Sequence, residues 1–323
     1  MSHAASPENA ATPESRAARE FPQGRIAFLG LGHMGGPMAA NLVKAGKDVV
    51  GYDPVPAAAD AARAHGVKVA ESALDAAAGA SVVLTMLQAG QQVLDLYRGT
   101  EDQRGLLEGA APRTMFLDCS TINVNEAREA AAVVTEAGYR FIDAPVSGGV
   151  VGAEAATLTF MVGAEDADFA EVEPLLELMG KRVVHCGGHG SGQAAKVCNN
   201  MILGASMIAV CEAFVLGEKL GITHDVLFDV AAHASGQCWA LTTNCPVPGP
   251  VPTSPANRNY EPGFTGALMA KDLHLALQAV ESTGVAARVG PLAAKIYDEF
   301  VEHGGATRDF SGIITDIRYR SNP

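Results

Sequence analysis

The sequence is poor in basic residues and has no closely spaced cysteines. It carries 23 Lys and Arg against 36 Asp and Glu, for a formal net charge of −13 at pH 7. This charge repels nucleic acids and anionic membrane surfaces, so we expect neither as a partner. The six cysteines include no CxxC pair and no histidine at ligand spacing, so we predict neither a disulfide framework nor a metal site. Such cysteine usage predicts a cytoplasmic protein.

Long apolar runs are also missing. The longest apolar stretch, residues 201–217, is interrupted by Ser206 and Glu212 and is too short for a membrane span, so we predict a buried helix. Residues 1–23 lack an apolar run and are too acidic for a transit peptide, and they are interpreted as a disordered tail. The remaining chain is long enough for two domains.

Short β-rich runs alternate with Ala-rich helical segments from Arg25 to about residue 186. The strand-like runs are apolar throughout, which is typical of strands buried on both faces of a parallel sheet; they read RIAFLG, DVVGYD, SVVLTML, TMFLDCS, YRFIDAP, TLTFMVG and VVHCG. This alternation predicts an α/β domain with a doubly wound sheet over residues 24–187.

Helical patterns replace the strands after residue 187, which predicts an all-α domain over residues 188–323. One helix is predicted from Ser191 to Lys219, long enough to link two domains or two subunits. The segment 245–263 contains six prolines and is predicted to be an irregular loop between helices. Further helices are predicted over 267–282, 287–303 and 312–318.

A glycine-rich turn, GLGHMG, follows the first predicted strand and begins a helix. Its residues are Gly30, Leu31, Gly32, His33, Met34 and Gly35. In this context the motif predicts dinucleotide binding, since the glycines let the backbone approach a pyrophosphate at the helix N-terminus. Asp53 ends the second predicted strand, where a carboxylate accepts hydrogen bonds from a ribose 2′-hydroxyl and repels a 2′-phosphate. The cofactor predicted is therefore NAD.

The second motif, DAPVSGG, lies at the carboxyl end of a predicted strand, where open α/β sheets bind ligands. Ser147, Gly148 and Gly149 offer a hydroxyl and backbone N–H groups that suit a carboxylate. The alternative is a plain turn with no ligand.

Lys196 and Asn200 are four residues apart near the start of the long helix, and they share an apolar face. Burial there lowers the pKa of a lysine toward the range useful for proton transfer, and Asn200 could then bind a substrate hydroxyl. The alternative is that Lys196 extends to solvent while its aliphatic stem packs on the core.

Two further polar groups leave alternatives open. Lys271 and Asp272 interrupt an apolar helix, and they form either part of the site or an exposed ion pair. The run LDCST ends another strand, where Thr121 or Asn123 either caps the next helix or contacts a ligand.

Five motifs in this order, GLGHMGGPMAANL, LDCSTI, DAPVSGG, GQAAKVCNNM and MAKDLHLA, resemble the β-hydroxyacid dehydrogenase family over about residues 24–320. The resemblance implies a Rossmann domain, a long linking helix and an all-α domain that completes a neighbouring subunit, in a homodimer or homotetramer. It also implies hydride transfer between a nicotinamide cofactor and a short hydroxy acid.

The resemblance implies a role for each matching residue. Lys196 would be the proton donor or acceptor, and the substrate would contact Ser147, Gly148, Gly149, Asn200, Trp239 and Thr121. The cofactor would contact the GLGHMG turn, Asp53, Met86, Leu87, Gln92, Thr121, Phe264, Lys271 and Asp272. The usual proline after Met86 and Leu87 is Gln88 here, which puts cofactor affinity in doubt.

Within the family, the segment from Trp239 to Tyr260 resembles an insert of members that oxidise (S)-3-hydroxyisobutyrate in valine breakdown. Two alternatives remain open. One is reduction of a short semialdehyde, such as tartronate or succinate semialdehyde, by the same residues. The other is a non-catalytic dinucleotide-binding scaffold, because fold alone does not imply function.

Overall fold

The computed structural model describes residues 24–321, so the predicted tail, residues 1–23, lies outside the described residues. The first half forms one nine-stranded sheet in the order β3-β2-β1-β4-β5-β6-β8-β7, with β9 paired to β8. The strands are β1 (Arg25–Leu29), β2 (Val49–Tyr52), β3 (Lys68–Val69), β4 (Ala80–Thr85), β5 (Met115–Asp118), β6 (Arg140–Asp143), β7 (Val146–Ser147), β8 (Leu158–Gly163) and β9 (Gly180–Gly187). Strands β1 to β6 are parallel, and β8 is antiparallel to β6 and β7.

Both faces of this sheet are buried, which explains the continuously apolar strands. In β1, Ile26 and Phe28 belong to one core cluster, whereas Ala27 and Leu29 belong to another. The helices that connect and cover the strands are α1 (Gly35–Lys44), α2 (Pro56–Ala64), α3 (Ala73–Ala77), α4 (Gly90–Arg98), α5 (Val124–Glu136), α6 (Gly149–Glu154) and α7 (Asp166–Leu176). The strand order reverses between β1 and β4, which creates a crevice at their carboxyl ends.

The second half is helical. Its helices are α8 (Ser191–Lys219), α9 (His224–Ala232), α10 (Trp239–Thr242), α11 (Gly266–Thr283), α12 (Val289–Phe300) and α13 (Ile313–Arg320). Within the described residues after Gly187, the only β pairing is an isolated bridge between Thr265 and Asp309. These helices enclose a third core that includes Met207, Phe214, Leu273 and Tyr297. The predicted fold class, a doubly wound sheet followed by an all-α domain, is confirmed.

Helix α8 joins the two halves and has the bounds that the sequence predicts. Its length and apolar composition would suffice to cross a membrane, but 44% of its most apolar stretch is buried inside the protein. The helix contacts β8, β9, α11, α12 and α13. We interpret α8 as a core helix of the folded chain.

Three features differ from the sequence-based expectation. Strands β3 and β7 have two residues each, too few to show an alternating pattern. Helix α9 is not among the helices predicted from the sequence; none of its residues is fully buried, although Leu227, Phe228 and Ala231 pack against the helical core. The helix predicted over 287–303 ends at Phe300 and continues as a π-helical turn, Val301–Gly305, because Gly304 adopts φ +91°.

Candidate active site

The glycine-rich turn lies at the crevice between β1 and β4. A Cβ on Gly30 would collide with the Met86 carbonyl, and one on Gly35 would collide with the Gly30 carbonyl. Gly32, in contrast, faces open space, with no heavy atom within 4 Å of its Cβ position. Helix α1 follows with no side-chain cap and no acidic residue in its first turn. Its N-terminal N–H groups therefore suit an anion such as a pyrophosphate.

Asp53 follows β2 and is bound to the same turn. Its Oδ2 accepts the Leu31 N–H at 2.7 Å, and its Oδ1 accepts the Val55 N–H at 2.8 Å. Each carboxylate oxygen has a second lone pair that can accept a hydroxyl. The N–H groups at the uncapped start of α1, the open space beside Gly32 and the Asp53 carboxylate together fit a dinucleotide whose ribose has a free 2′-hydroxyl.

The segment after β4 is held by side chains from two neighbouring elements. The Leu87 N–H donates to Ser120 Oγ at 2.8 Å, and the Gln88 N–H donates to Gln92 Oε1 at 3.2 Å. A proline at position 88 would have no N–H to donate. The Gln92 side chain therefore restrains this loop where the family's usual proline would stiffen it, a compensation that the sequence analysis did not anticipate.

Lys271 connects the two halves of the chain. Its Nζ donates to the Thr121 carbonyl at 2.7 Å and to the Gln88 carbonyl at 3.5 Å, and it lies 3.6 Å from Asp272 Oδ1. Asp272 is only 3% exposed. The alternative of an exposed ion pair is therefore wrong, because the lysine reaches across the cleft and the aspartate faces the core.

Lys196, Asn200 and Asp272 form a buried polar group; these residues are 6%, 1% and 3% exposed. Asn200 Nδ2 donates to Asp272 Oδ2 at 2.6 Å, which fixes the asparagine amide. Burial lowers the pKa of Lys196, while the negative charge of Asp272 raises it and the positive charge of Lys271 lowers it. The alternative that Lys196 extends to solvent is wrong.

The start of α8, one turn before Lys196, is bonded to the sheet. Asp143 accepts the N–H groups of Gly190 at 2.7 Å and Gln193 at 3.0 Å, and Gln193 Nε2 donates to the Ser120 carbonyl at 2.7 Å. Burial raises the pKa of Asp143 to about 6, although the two N–H donors favour its charged form. Sequence reasoning missed this role because the partners are about 50 residues apart; the signal was an aspartate at the end of an apolar strand.

Asp118 lies beside Asp143 in register on β5 and is also fully buried. It accepts the hydroxyls of Thr85 at 2.7 Å and Ser120 at 2.6 Å, and burial raises its pKa. After it, Asn123 rather than Thr121 caps α5, in a capping box with Glu126. The carbonyl of Thr121 is thereby left to accept Lys271.

The Ser147–Gly149 turn lies at the end of β7, and its two glycines have φ values of +136° and +62°. A Cβ on Gly149 would lie 3.0 Å from the carbonyl oxygen of Gly263, the residue before Phe264. The turn therefore faces the end of the proline-rich loop. Trp239 begins α10 and is 52% exposed; no hydrogen bond among the described residues joins it to Lys196.

Comparison with known proteins bears on both halves of the chain. Residues 25–188 match the model of the NAD binding domain of 6-phosphogluconate dehydrogenase, and residues 190–317 match the model described as NAD-binding of NADP-dependent 3-hydroxyisobutyrate dehydrogenase. A protein of Mycobacterium tuberculosis named probable 3-hydroxyisobutyrate dehydrogenase is 54% identical over 298 residues, covering 92% of this chain and 99% of the relative. The chain belongs to the 3-hydroxyisobutyrate dehydrogenase family.

Two further relatives from Pseudomonas aeruginosa are each 46% identical. One is named 3-hydroxyisobutyrate dehydrogenase, with 89% of this chain and 96% of that protein covered, and the other NAD-dependent L-serine dehydrogenase, with 89% and 95% covered. A solved structure of Mycobacterium tuberculosis 3-hydroxyisobutyrate dehydrogenase with L-serine has a TM-score of 0.87 and 53% identity, covering 92% of this chain and all of that one. As a member of this dehydrogenase family, the chain is an NAD-dependent oxidoreductase.

Proposed function

We propose that this chain oxidises (S)-3-hydroxyisobutyrate to methylmalonate semialdehyde, as a step of valine breakdown. The observation that carries the proposal is the burial of Lys196 beside Asn200 and Asp272. A lysine with a lowered pKa can be neutral when the substrate binds, which a base requires. The names of relatives at 46–54% identity support the substrate.

In the proposed mechanism, Ser147 Oγ and the N–H groups of Gly148 and Gly149 bind the substrate carboxylate. Asn200 orients the substrate hydroxyl, and neutral Lys196 Nζ accepts its proton as the carbonyl forms. NAD, held by the Gly30–Gly35 turn and Asp53, supplies the hydride acceptor when bound. The Thr121 and Gln88 carbonyls hold Lys271 beside the Met86–Gln88 segment, where it shapes the cofactor side of the cleft.

The test is an alanine substitution at Lys196, with Lys295→Ala, on the exposed face of α12, as the matched control. Acid–base assistance is worth roughly 10²- to 10⁴-fold, so Lys196→Ala should lower kcat by that factor while the Kd for NAD changes less than about twofold. Near wild-type turnover by this variant would contradict the assignment of Lys196.

L-serine is a second candidate substrate, supported by the P. aeruginosa relative named for it and by the M. tuberculosis structure described with L-serine. Both acids carry a CH₂OH group next to the carboxylate-bearing carbon, so Lys196 and Ser147 would act alike on either. Initial rates with both enantiomers of 3-hydroxyisobutyrate, L-serine, D-glycerate and 4-hydroxybutyrate, each with NAD and NADP, and with tartronate and succinate semialdehydes and NADH, separate the candidates. Preference for L-serine, or for reducing a semialdehyde, would replace the valine assignment and keep the lysine mechanism.

We also propose a homodimer or homotetramer. Large apolar side chains are exposed on α8, at its C-cap and on α9: Ile202 at 66%, Leu216 at 60%, Leu220 at 68% and Val230 at 61%. Exposed apolar surface of this kind is typical of subunit interfaces. Sedimentation velocity tests the proposal, and a monomer at micromolar concentration would contradict it. The cytoplasmic location stays a prediction.

A further inference from the structure

Asp309 is a buried carboxylate outside the catalytic group, only 1% exposed. Its Oδ1 accepts Ser311 Oγ at 2.6 Å, the Ser311 N–H at 3.1 Å and Asn244 Nδ2 at 3.3 Å. Its Oδ2 accepts the N–H groups of Gly263 at 3.1 Å and Phe264 at 3.3 Å. Five donors thus converge on one side chain that water does not reach.

Three of these five donors, those of Asn244, Gly263 and Phe264, come from the two ends of the proline-rich loop. Asn244 directly precedes the loop, and Gly263 is its last residue. The backbone reinforces the attachment, because the Asp309 N–H donates to the Tyr260 carbonyl at 2.9 Å and the Phe310 N–H donates to the Phe264 carbonyl at 2.9 Å. Asp309 therefore holds the two ends of the loop together.

The end of the loop that Asp309 holds is the part that faces the substrate turn. The Gly263 carbonyl oxygen lies 3.0 Å from the Cβ position of Gly149, so a side chain there would have to displace Gly263 by a few tenths of an ångström. Gly149 also has φ +62°, a conformation that favours glycine. A shift of Gly263 would thus change the space beside the turn that is proposed to bind the carboxylate.

Building on the proposed function, we infer that Asp309 is a positioning residue that holds Gly263 against the Ser147–Gly149 turn and so restricts the enzyme to short hydroxy acids. The carboxylate touches neither substrate nor cofactor. It acts through the backbone N–H groups of Gly263 and Phe264, and so fixes the Gly263 carbonyl against the Ser147–Gly149 turn.

The test compares Asp309→Asn with Ser311→Ala. In the asparagine variant, an NH₂ group replaces one of the two carboxylate oxygens and cannot accept the N–H donors that face it. Two of the five donors face Oδ2 and three face Oδ1, so at least two hydrogen bonds are lost. Ser311→Ala removes one hydrogen bond on Oδ1 and leaves Gly263 and Phe264 bound, which makes it a control for lost stability. The double variant Asn244→Asp with Asp309→Asn exchanges donor and acceptor across the 3.3 Å hydrogen bond between these two side chains. It tests whether this exchange reverses the effects of Asp309→Asn.

Two readouts are needed, one with substrate and one without. With (S)-3-hydroxyisobutyrate, Asp309→Asn should raise KM at least tenfold and change kcat less than about threefold. The preference for a longer substrate should also increase in Asp309→Asn. It is measured as kcat/KM for 2-ethyl-3-hydroxypropanoate, which is one carbon longer, divided by kcat/KM for 3-hydroxyisobutyrate. Without substrate, hydrogen exchange of a peptide spanning 261–265 should accelerate in Asp309→Asn, and remain at the wild-type rate in Ser311→Ala.

The outcomes separate the inference from the proposed function. Unchanged exchange at 261–265 in Asp309→Asn overturns the inference whatever the activity. The substrate role of Asp309 is overturned if Asp309→Asn speeds exchange but leaves KM and the chain-length preference unchanged. It is also overturned if Asp309→Asn and Ser311→Ala raise KM equally. If the wild type oxidises none of the hydroxy acids, the proposed function fails and the substrate role of Asp309 fails with it, while the exchange data still decide whether Asp309 anchors the loop.

Discussion

The buried carboxylate of Asp143 makes stability depend on pH in a direction opposite to that of a salt-bridged aspartate. Burial raises its pKa from 3.8 to about 6, so the folded chain binds this proton more tightly than the unfolded chain does. Unfolding therefore releases a proton between about pH 4 and pH 6, and stability from this group falls as pH rises through that window. One pKa unit corresponds to about 1.4 kcal/mol, so the full effect is about 3 kcal/mol.

The perturbation that isolates this effect is Asp143→Asn, which keeps the shape of the side chain and removes its titration. The quantity compared is the free energy of unfolding of the wild type minus that of the variant. We expect this difference to fall by about 2 kcal/mol from pH 4.5 to pH 7.5, which is less than the full effect of about 3 kcal/mol because part of the change occurs below pH 4.5. Urea unfolding followed by circular dichroism measures it. Protein concentration must be held fixed because oligomer formation shifts apparent stability.

The matched control for this experiment is Asp102→Asn, in an exposed turn. For this control, the free energy of unfolding of the wild type minus that of the variant should vary by less than about 0.5 kcal/mol over the same pH range. A difference for Asp143→Asn that is equally flat would refute the reasoning, because it would mean that Asp143 is equally ionised in the folded and unfolded chains.

Three further predictions concern the cofactor and the catalytic lysine. Asp53→Ser should weaken NAD binding about tenfold and reduce discrimination against NADP, and unchanged NADP kinetics would contradict the role of the carboxylate. Gln92→Ala should raise the Kd for NAD about threefold by freeing the Gln88 N–H, and Gln88→Pro in the same background should restore it; calorimetric titration with NAD decides. Asp272→Asn removes the charge that raises the pKa of Lys196, so that pKa should fall further. Since oxidation needs the neutral lysine, the acidic limb of the kcat profile should move to lower pH, and a limb that moves to higher pH would contradict this sign.

The parts of the molecule that depend on local sequence were predictable. The bounds of α8 and the series of main strands follow from apolar periodicity, and the glycine turn follows from its position between a strand and a helix. Asp53 was recognisable because the distance from a first strand to the end of a second is nearly fixed in this kind of domain. These features need few contacts from distant parts of the chain.

The parts that depend on distant partners were not predictable. The bond between Gln193 and Ser120 joins residues 73 positions apart, and Asp309 binds donors 45 to 65 positions away. Nothing in a linear pattern distinguishes Asp309 from a surface aspartate that begins a helical turn. The alternatives for Lys271 and Lys196 were open for the same reason, because burial is a property of the packed chain.

The hydrogen bonds at the start of α8 determine which parts of the enzyme can move relative to one another. Asp143 and Ser120 bind the first turn of α8 to the sheet, so Lys196, one turn later, travels with the sheet even though most of its helix packs in the other half. Because α8 is continuous from Ser191 to Lys219, a movement of the other helices that keeps these hydrogen bonds cannot hinge at the glycines before α8. Such a movement would carry Gly263 away from Gly149 and break the Lys271 contacts, while the spacing between Lys196 and the glycine-rich turn stayed constant.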